Sequence, residues 1–179
     1  KTENGTKRHY NYANLYSHII GYSYREYGKA GLESSYNKEL LNLKDDNTID
    51  ELKKIISKPS GEGNTLKLTI DHGLQESAKA KLNGKKGSIV MMNPKTGDIY
   101  AMVSVPDFNP NTLKDDWNEI VEDSDSSFLN RCTMGLYQPG STFKVVTAIA
   151  GIESGNGNEV IKCNGSTKID GYVLKDYGG

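Results

Sequence analysis

Ser141 and Lys144 are the two residues of this 179-residue chain whose types and spacing suit covalent chemistry. A serine hydroxyl is a weak nucleophile until a neighbouring base takes its proton, and a lysine amine kept neutral by its surroundings is such a base. Residues three apart on a helix share a face, so the amine can reach the hydroxyl. The same spacing recurs at Ser35 and Lys38, and spacing alone therefore identifies nothing. Context separates the two pairs. Residues 32–43, LESSYNKELLNL, carry Leu32, Tyr36, Leu40 and Leu43 near helical spacing, which predicts a short amphipathic helix with Lys38 in solvent. Lys144 instead opens a stretch in which Phe143, Val145, Val146, Ile149 and Ile152 point all round the helical wheel. That pattern predicts a buried helix with a lysine in its first turn. Desolvation of an ammonium group is costly and favours the neutral amine.

The elements that must hold this pair are legible on either side of it. Pro139-Gly140 punctuates the chain, leaves room for a substrate backbone, and lets Ser141 or Thr142 cap a helix that runs to about Ser154 and stops at Gly155-Asn156-Gly157. The N-terminus of that helix would favour a developing oxyanion. Upstream, LKLTID alternates apolar and polar residues at Leu66, Leu68 and Ile70 and predicts a strand. Asp71 is placed to cap a helix over HGLQESAKAKL, with Leu74, Ala78 and Leu82 on one face. GSIVMMNPKTGDIYAMVSVP has two apolar runs around Asn93 to Asp98 and predicts a hairpin. The following DFNPNTLKDDWNEIVEDSDSS is acidic, broken by Pro110, and predicts a long irregular connection.

Composition narrows the function classes. Hydrophobic residues make up 35% and charged residues 25%, with a formal net charge of −1, which points neither to disorder nor to a nucleic-acid partner. No apolar run approaches the roughly 20 residues that cross a bilayer. The N-terminal KTENGTKRHY lacks the apolar core of a signal peptide. Cys132 and Cys163 lack metal-ligand or redox-motif spacing, and His9, His18 and His72 are scattered, so no metal site is expected. The first 64 residues, rich in Tyr, Gly and Asn and ending in KPSGEGN, read as a separate module with a linker.

LNRCTMGLYQPGSTFKVVTAIAGIESG resembles the active-site segment of penicillin-binding transpeptidases, in which an SxxK motif opens the central helix. GSIVMMNPKTGDIYAMVSVPDFNPN is similar to the strand pair and loop that precede that segment, and LKLTIDHGLQESAKAKL to the entry strand and helix. HIIGYSYREYGKAGLESSYNKELL resembles the end of the non-catalytic pedestal of class B, monofunctional members. The resemblance implies an α/β (α+β) fold of the serine β-lactamase-like kind, an antiparallel sheet with helices. Residues 1–64 would be the end of the pedestal and its linker, and residues 65–179 the N-terminal part of the transpeptidase domain.

It further implies D,D-transpeptidation, with Ser141 as nucleophile and Lys144 as general base and with no cofactor. The substrates would be peptidoglycan stem peptides, with β-lactams as acylating inhibitors. A membrane glycan polymerase would be a partner, and the site of action the outer face of the cell membrane, held there by an anchor this chain lacks. A β-lactam-sensing receptor, a serine β-lactamase and a non-catalytic scaffold are the rival readings. The family's second and third motifs, SxN and KTG, follow the serine in chain order. Ser35-Tyr36-Asn37 and Lys95-Thr96-Gly97 precede it and are therefore expected to be decoys. With LKDYGG as the last residues given, the isolated chain is expected to be catalytically incomplete.

Overall fold

The computed structural model describes residues 8–42 and 63–177. Most of the KPSGEGN linker, the helix end at Leu43 and the last two glycines lie outside the described residues. Two compact units emerge, Lys1–Leu136 and Tyr137–Gly179.

The first unit begins with a 3-10 turn, Ala13–Tyr16, that runs into the one-turn helix α1, Ser17–Ile20. A two-residue antiparallel pair follows, β1 (Ser23–Tyr24) with β2 (Gly28–Lys29), then the short helices α2 (Gly31–Ser35) and α3 (Asn37–Leu40). The single helix expected over 32–43 is thus two pieces, because Tyr36 leaves helical geometry at φ −110°. Gly21 and Gly31 let the two halves of this module touch. At φ +78°, a Cβ on Gly21 would sit 2.0 Å from the Ala30 carbonyl oxygen, and one on Gly31, at φ +58°, would meet the Gly21 nitrogen at 2.7 Å. No side chain fits at either position.

Residues 65–70 are not a strand. They hold to the sheet through the Thr69 hydroxyl, which donates to the Ile99 carbonyl at 2.7 Å, and through the Asp71 N–H, which donates to the Tyr100 carbonyl at 2.9 Å. The period-2 pattern was real, but side-chain and single backbone bonds replace a ladder. Helix α4, His72–Leu82, starts as expected, with the Asp71 carboxylate accepting from the Leu74 N–H at 2.9 Å. The hairpin of β3 (Gly87–Met92) and β4 (Ile99–Val105) is antiparallel, with Gly87 opposite Val105 and Val90 opposite Met102. Ala78 of α4 packs on Ala101 and Val103 of β4, supported by Leu82, Ile89 and Val105.

The connection expected to be irregular contains a helix, α5, Leu113–Glu122. Its Leu113, Trp117 and Ile120 join Tyr22, Tyr24, Tyr27, Phe108 and Phe128 in an aromatic core, with Leu113 fully buried. Tyr27 stacks on Trp117 with centroids 4.1 Å apart and planes 15° apart. This core joins residues 22–30 to residues 108–128, so the N-terminal module and the segment after the hairpin are one packed body.

The second unit opens with a 3-10 turn, Gly140–Phe143, continued by helix α6, Lys144–Glu153. Gly155, at φ +81°, ends it where expected. An antiparallel hairpin follows, β5 (Ser166–Ile169) with β6 (Tyr172–Lys175). Its two-residue turn, Asp170-Gly171, has positive φ at both positions, which matches the right-handed twist of the strands. The expected burial of α6 is not found. Val145, Val146, Ile149 and Ile152 are each at least half exposed. A helix and a two-stranded hairpin provide no facing layer, and an all-round apolar helix needs one on every side.

Candidate active site

Two backbone features shape the turn that carries Ser141. Pro139 sits in right-handed helical geometry and Gly140 at φ +54°, in the region that a side chain on Cβ disfavours. The Pro139 carbonyl accepts from the Thr142 N–H at 3.2 Å and from the Thr142 hydroxyl at 2.6 Å. Thr142 therefore bonds backward to the turn, and neither it nor Ser141 caps the helix through its side chain. The Lys144 N–H donates to the Ser141 carbonyl. With about three residues per turn in 3-10 geometry, positions i and i+3 eclipse, so Ser141 in the turn and Lys144 just after it lie one above the other. The turn thus delivers the stacking that the sequence assigns to an α-helical start.

Ser141 and Lys144 are both exposed. Among the described residues no hydrogen bond engages the Ser141 hydroxyl or the Lys144 ammonium, so the pair is juxtaposed without being bonded. Lys144 is exposed, where the sequence predicted it buried. What the local geometry provides is a serine and a lysine on one face at the start of a ten-residue helix, with the positive end of the helix beside them.

The two strings that precede Ser141 lie in a hairpin turn and on short helices. Lys95, Thr96 and Gly97 form the β3–β4 turn: the Asn93 side chain accepts from the Lys95 N–H at 2.9 Å, and the Thr96 hydroxyl donates to Asp98 at 2.8 Å. Ser35 and Lys38 are exposed on the two short helices, and the Asn37 side chain accepts from the Lys29 ammonium. Cys132 is half-buried, and its thiol is pushed up by burial, which disqualifies it as a nucleophile. Cys163 is a free, exposed thiol 2.6 Å from Asp176. Among the described residues no three His, Cys, Asp or Glu side chains are grouped to hold a metal.

Two buried polar residues that sequence reasoning passed over hold the first unit together. Gln75, fully buried, donates to the Leu15 carbonyl at 3.0 Å and to the Met102 carbonyl at 2.8 Å, and its oxygen accepts from the Met102 N–H at 2.8 Å. One amide thereby extends the free edge of β4 and ties it to the N-terminal turn. Arg131, also buried, donates to the carbonyls of Asp125, Ser126 and Leu129, folding the loop before the Ser141 segment around a guanidinium. A glutamine in a polar helix and an arginine in an acidic loop carry no pattern that marks them for burial.

The chain resembles known proteins over nearly its whole length. The family model described as penicillin binding protein transpeptidase domain matches residues 87–178, and that described as penicillin binding protein A dimerisation domain matches residues 1–66. The peptidoglycan D,D-transpeptidase MrdA of Acinetobacter baumannii is 32% identical over 87% of this chain and 27% of its own length. The peptidoglycan D,D-transpeptidase PbpA of Mycolicibacterium smegmatis is 33% identical over 78% of this chain and 31% of its own. The chain thus spans between a quarter and a third of these relatives. Among solved structures, the D,D-transpeptidase domain of a peptidoglycan glycosyltransferase from Eggerthella lenta superposes with a TM-score of 0.79 at 32% identity, covering 98% of this chain and 39% of that one. Penicillin-binding protein A of Mycobacterium tuberculosis, as its penicillin G acyl-enzyme complex, gives 0.78 at 26% identity, covering 94% and 42%.

Proposed function

The chain belongs to the penicillin-binding protein transpeptidase family, and from that premise we propose that Ser141 is the residue acylated by a peptidoglycan stem peptide and that Lys144 is its general base. The observation that carries this is the eclipsed Ser141–Lys144 pair on the turn that opens α6, inside the stretch matched by the transpeptidase model. The Ser141 hydroxyl gives its proton to the Lys144 amine as Oγ attacks the penultimate D-alanine carbonyl. The C–N bond to the terminal D-alanine breaks, and that proton passes to the departing amine. In the second half, an acceptor amine attacks the ester carbonyl, and Oγ leaves with a proton returned through Lys144. A β-lactam would acylate the same oxygen, a reading supported by the existence of a penicillin G acyl-enzyme complex of the Mycobacterium tuberculosis relative.

The Lys144 amine must lose its own proton before it can take one from serine, so the reaction requires a cover over α6 that excludes water from the amine. Residues 1–64 are assigned to the pedestal and its linker and residues 65–179 to the transpeptidase part, supported by the two family matches at residues 1–66 and 87–178. The dimerisation-domain match favours a cell-wall synthase over a β-lactam sensor or a β-lactamase. Action at the outer face of the cell membrane alongside a membrane glycan polymerase follows from the same reading. Among the described residues no helix is long and apolar enough to cross a membrane.

Release of D-alanine from a stem peptide ending in D-alanyl-D-alanine, measured on the protein as its host makes it, tests the reaction. Release that stops in Ser141→Ala supports it, and release that continues in that variant refutes it.

A further inference from the structure

The tyrosines of the N-terminal segment range from buried to exposed. Tyr10 and Tyr22 are buried where the chain's own packing uses them, whereas Tyr12 keeps 57% of its surface in solvent. An exposed ring forgoes the stabilisation that burying its apolar surface would bring. Yet Tyr12 is held in place. The Tyr16 ring meets it edge-on at 5.6 Å, the His72 ring lies 4.6 Å away, and the Tyr16 hydroxyl and His72 Nδ1 share a hydrogen bond of 2.8 Å. His72 Nε2 is in turn 3.5 Å from the Glu76 carboxylate.

This cluster borders an open cleft of about 420 Å³ whose lining includes Tyr12, Asn14, Glu76 and Lys79. The polar groups on the rim are also fixed. Asp107 accepts from the Asn14 amide at 2.8 Å and pairs with the Lys79 ammonium at 2.6 Å. Lys79 is thereby neutralised, and Glu76 adds a negative charge, so the rim suits neither a phosphate nor a nucleic-acid backbone. An aromatic ring presents a negative face to partly positive C–H groups, and the rim offers donors and acceptors around it. That combination fits a neutral, polyhydroxylated ring with an apolar side, which is a pyranose.

We propose that Tyr12, with Glu76, Asn14 and Lys79, forms a glycan-binding site that takes an N-acetylated aminosugar of a peptidoglycan strand. The identity of the strand rests on the transpeptidase reading above, since a stem peptide reaches Ser141 attached to such a polymer. The sugar stacks on Tyr12, and its hydroxyl and acetamido groups meet the rim. Because Tyr12, Tyr16 and His72 are already locked together, little side-chain freedom is lost on binding. The site holds the polymer and takes no part in the covalent step.

The test uses N-acetylglucosamine tetramer in titration calorimetry and amidase-treated sacculi, which carry strands without stem peptides, in co-sedimentation. Wild-type protein should bind both. Tyr12→Ala should bind at least tenfold more weakly with an unchanged melting temperature, Tyr12→Phe should bind within about twofold of wild type, and Glu76→Gln should fall between. Ser141→Ala should bind as wild type, which separates this site from the catalytic one. Labelling of Ser141 by penicillin without any glycan binding would overturn this inference and leave the transpeptidase reading intact. Equal binding by wild type and Tyr12→Ala would overturn it as well.

Discussion

The Leu113 helix and the Lys144 helix reverse what their sequences suggest. Helix α5 lies in an acidic, proline-interrupted stretch and supplies the fully buried Leu113. Helix α6 is apolar all round and is exposed along its length. The difference shows that burial belongs to the pair of surfaces that meet. Leu113 meets Phe108 from the adjoining loop and Tyr22 from a segment distant in the chain, whereas α6 has only a short turn and a hairpin in its own unit. Chemistry follows a different rule. The proposed Ser141–Lys144 pair needs four consecutive residues and one turn, and a short sequence can encode it completely.

If the site chemistry is local and the packing is not, single substitutions should separate the two. Lys144→Ala and Ser141→Ala should each lower the acylation rate by a factor of at least about 10³, with no loss of thermal stability, measured by stopped-flow labelling and by melting. A Lys144→Ala variant that still acylates at the wild-type rate would remove the base from the account.

Leu113→Ala should cost about 2–5 kcal/mol, because it empties a fully enclosed site. Gln75→Ala should cost about 1–3 kcal/mol by orphaning the Met102 N–H and the Leu15 and Met102 carbonyls, as read by denaturant unfolding. Neither should touch the Ser141–Lys144 turn itself.

His18 gives the packed unit a pH dependence. Burial, opposed by its bond to the Ser127 carbonyl and the nearby Asp107 and reinforced by Arg131 and Lys79, holds the imidazole below its ordinary value. The unfolded chain, with histidine near 6.5, then binds more protons than the folded one as pH falls through that value. Stability should therefore be full above about pH 6.5 and decline below it. A His18→Gln variant should flatten that part of the melting-temperature profile, and an unchanged slope would assign the acid sensitivity to another group.

The smallest effect is expected on α6. Ile149→Ala in this chain should shift stability by less than about 0.5 kcal/mol, as for an ordinary surface position. A cost near that of Leu113→Ala would mean that a layer covers the helix and would erase the contrast between the two units.

The legible parts of the fold were those set by neighbours in sequence. Asp71 as a cap, the β3–β4 hairpin around Asn93 to Asp98, and the glycine stop at Gly155 all depend on a few adjacent residues. The spacing of Leu113, Trp117 and Ile120 carried a helical signal that the acidic residues and Pro110 masked. Asp170-Gly171 is a turn signal for the last hairpin that the sequence reading passed over. What no local pattern announced were the partners at long range: Gln75 reaching Leu15 and Met102, Arg131 gathering three carbonyls, and Tyr27 stacking on Trp117. At the candidate site, the residues and their spacing were legible and the surroundings were not. The solvation of Lys144 depends on what lies against α6, which its own sequence cannot specify.

The central claim, that Ser141 is the acylated oxygen, is tested most directly by incubating the protein as its host makes it with benzylpenicillin and mapping the adduct by peptide mass spectrometry. The account predicts one drug-mass addition per chain on the peptide that contains Ser141, absent in Ser141→Ala. An adduct on any other residue, or one that survives in Ser141→Ala, would contradict it.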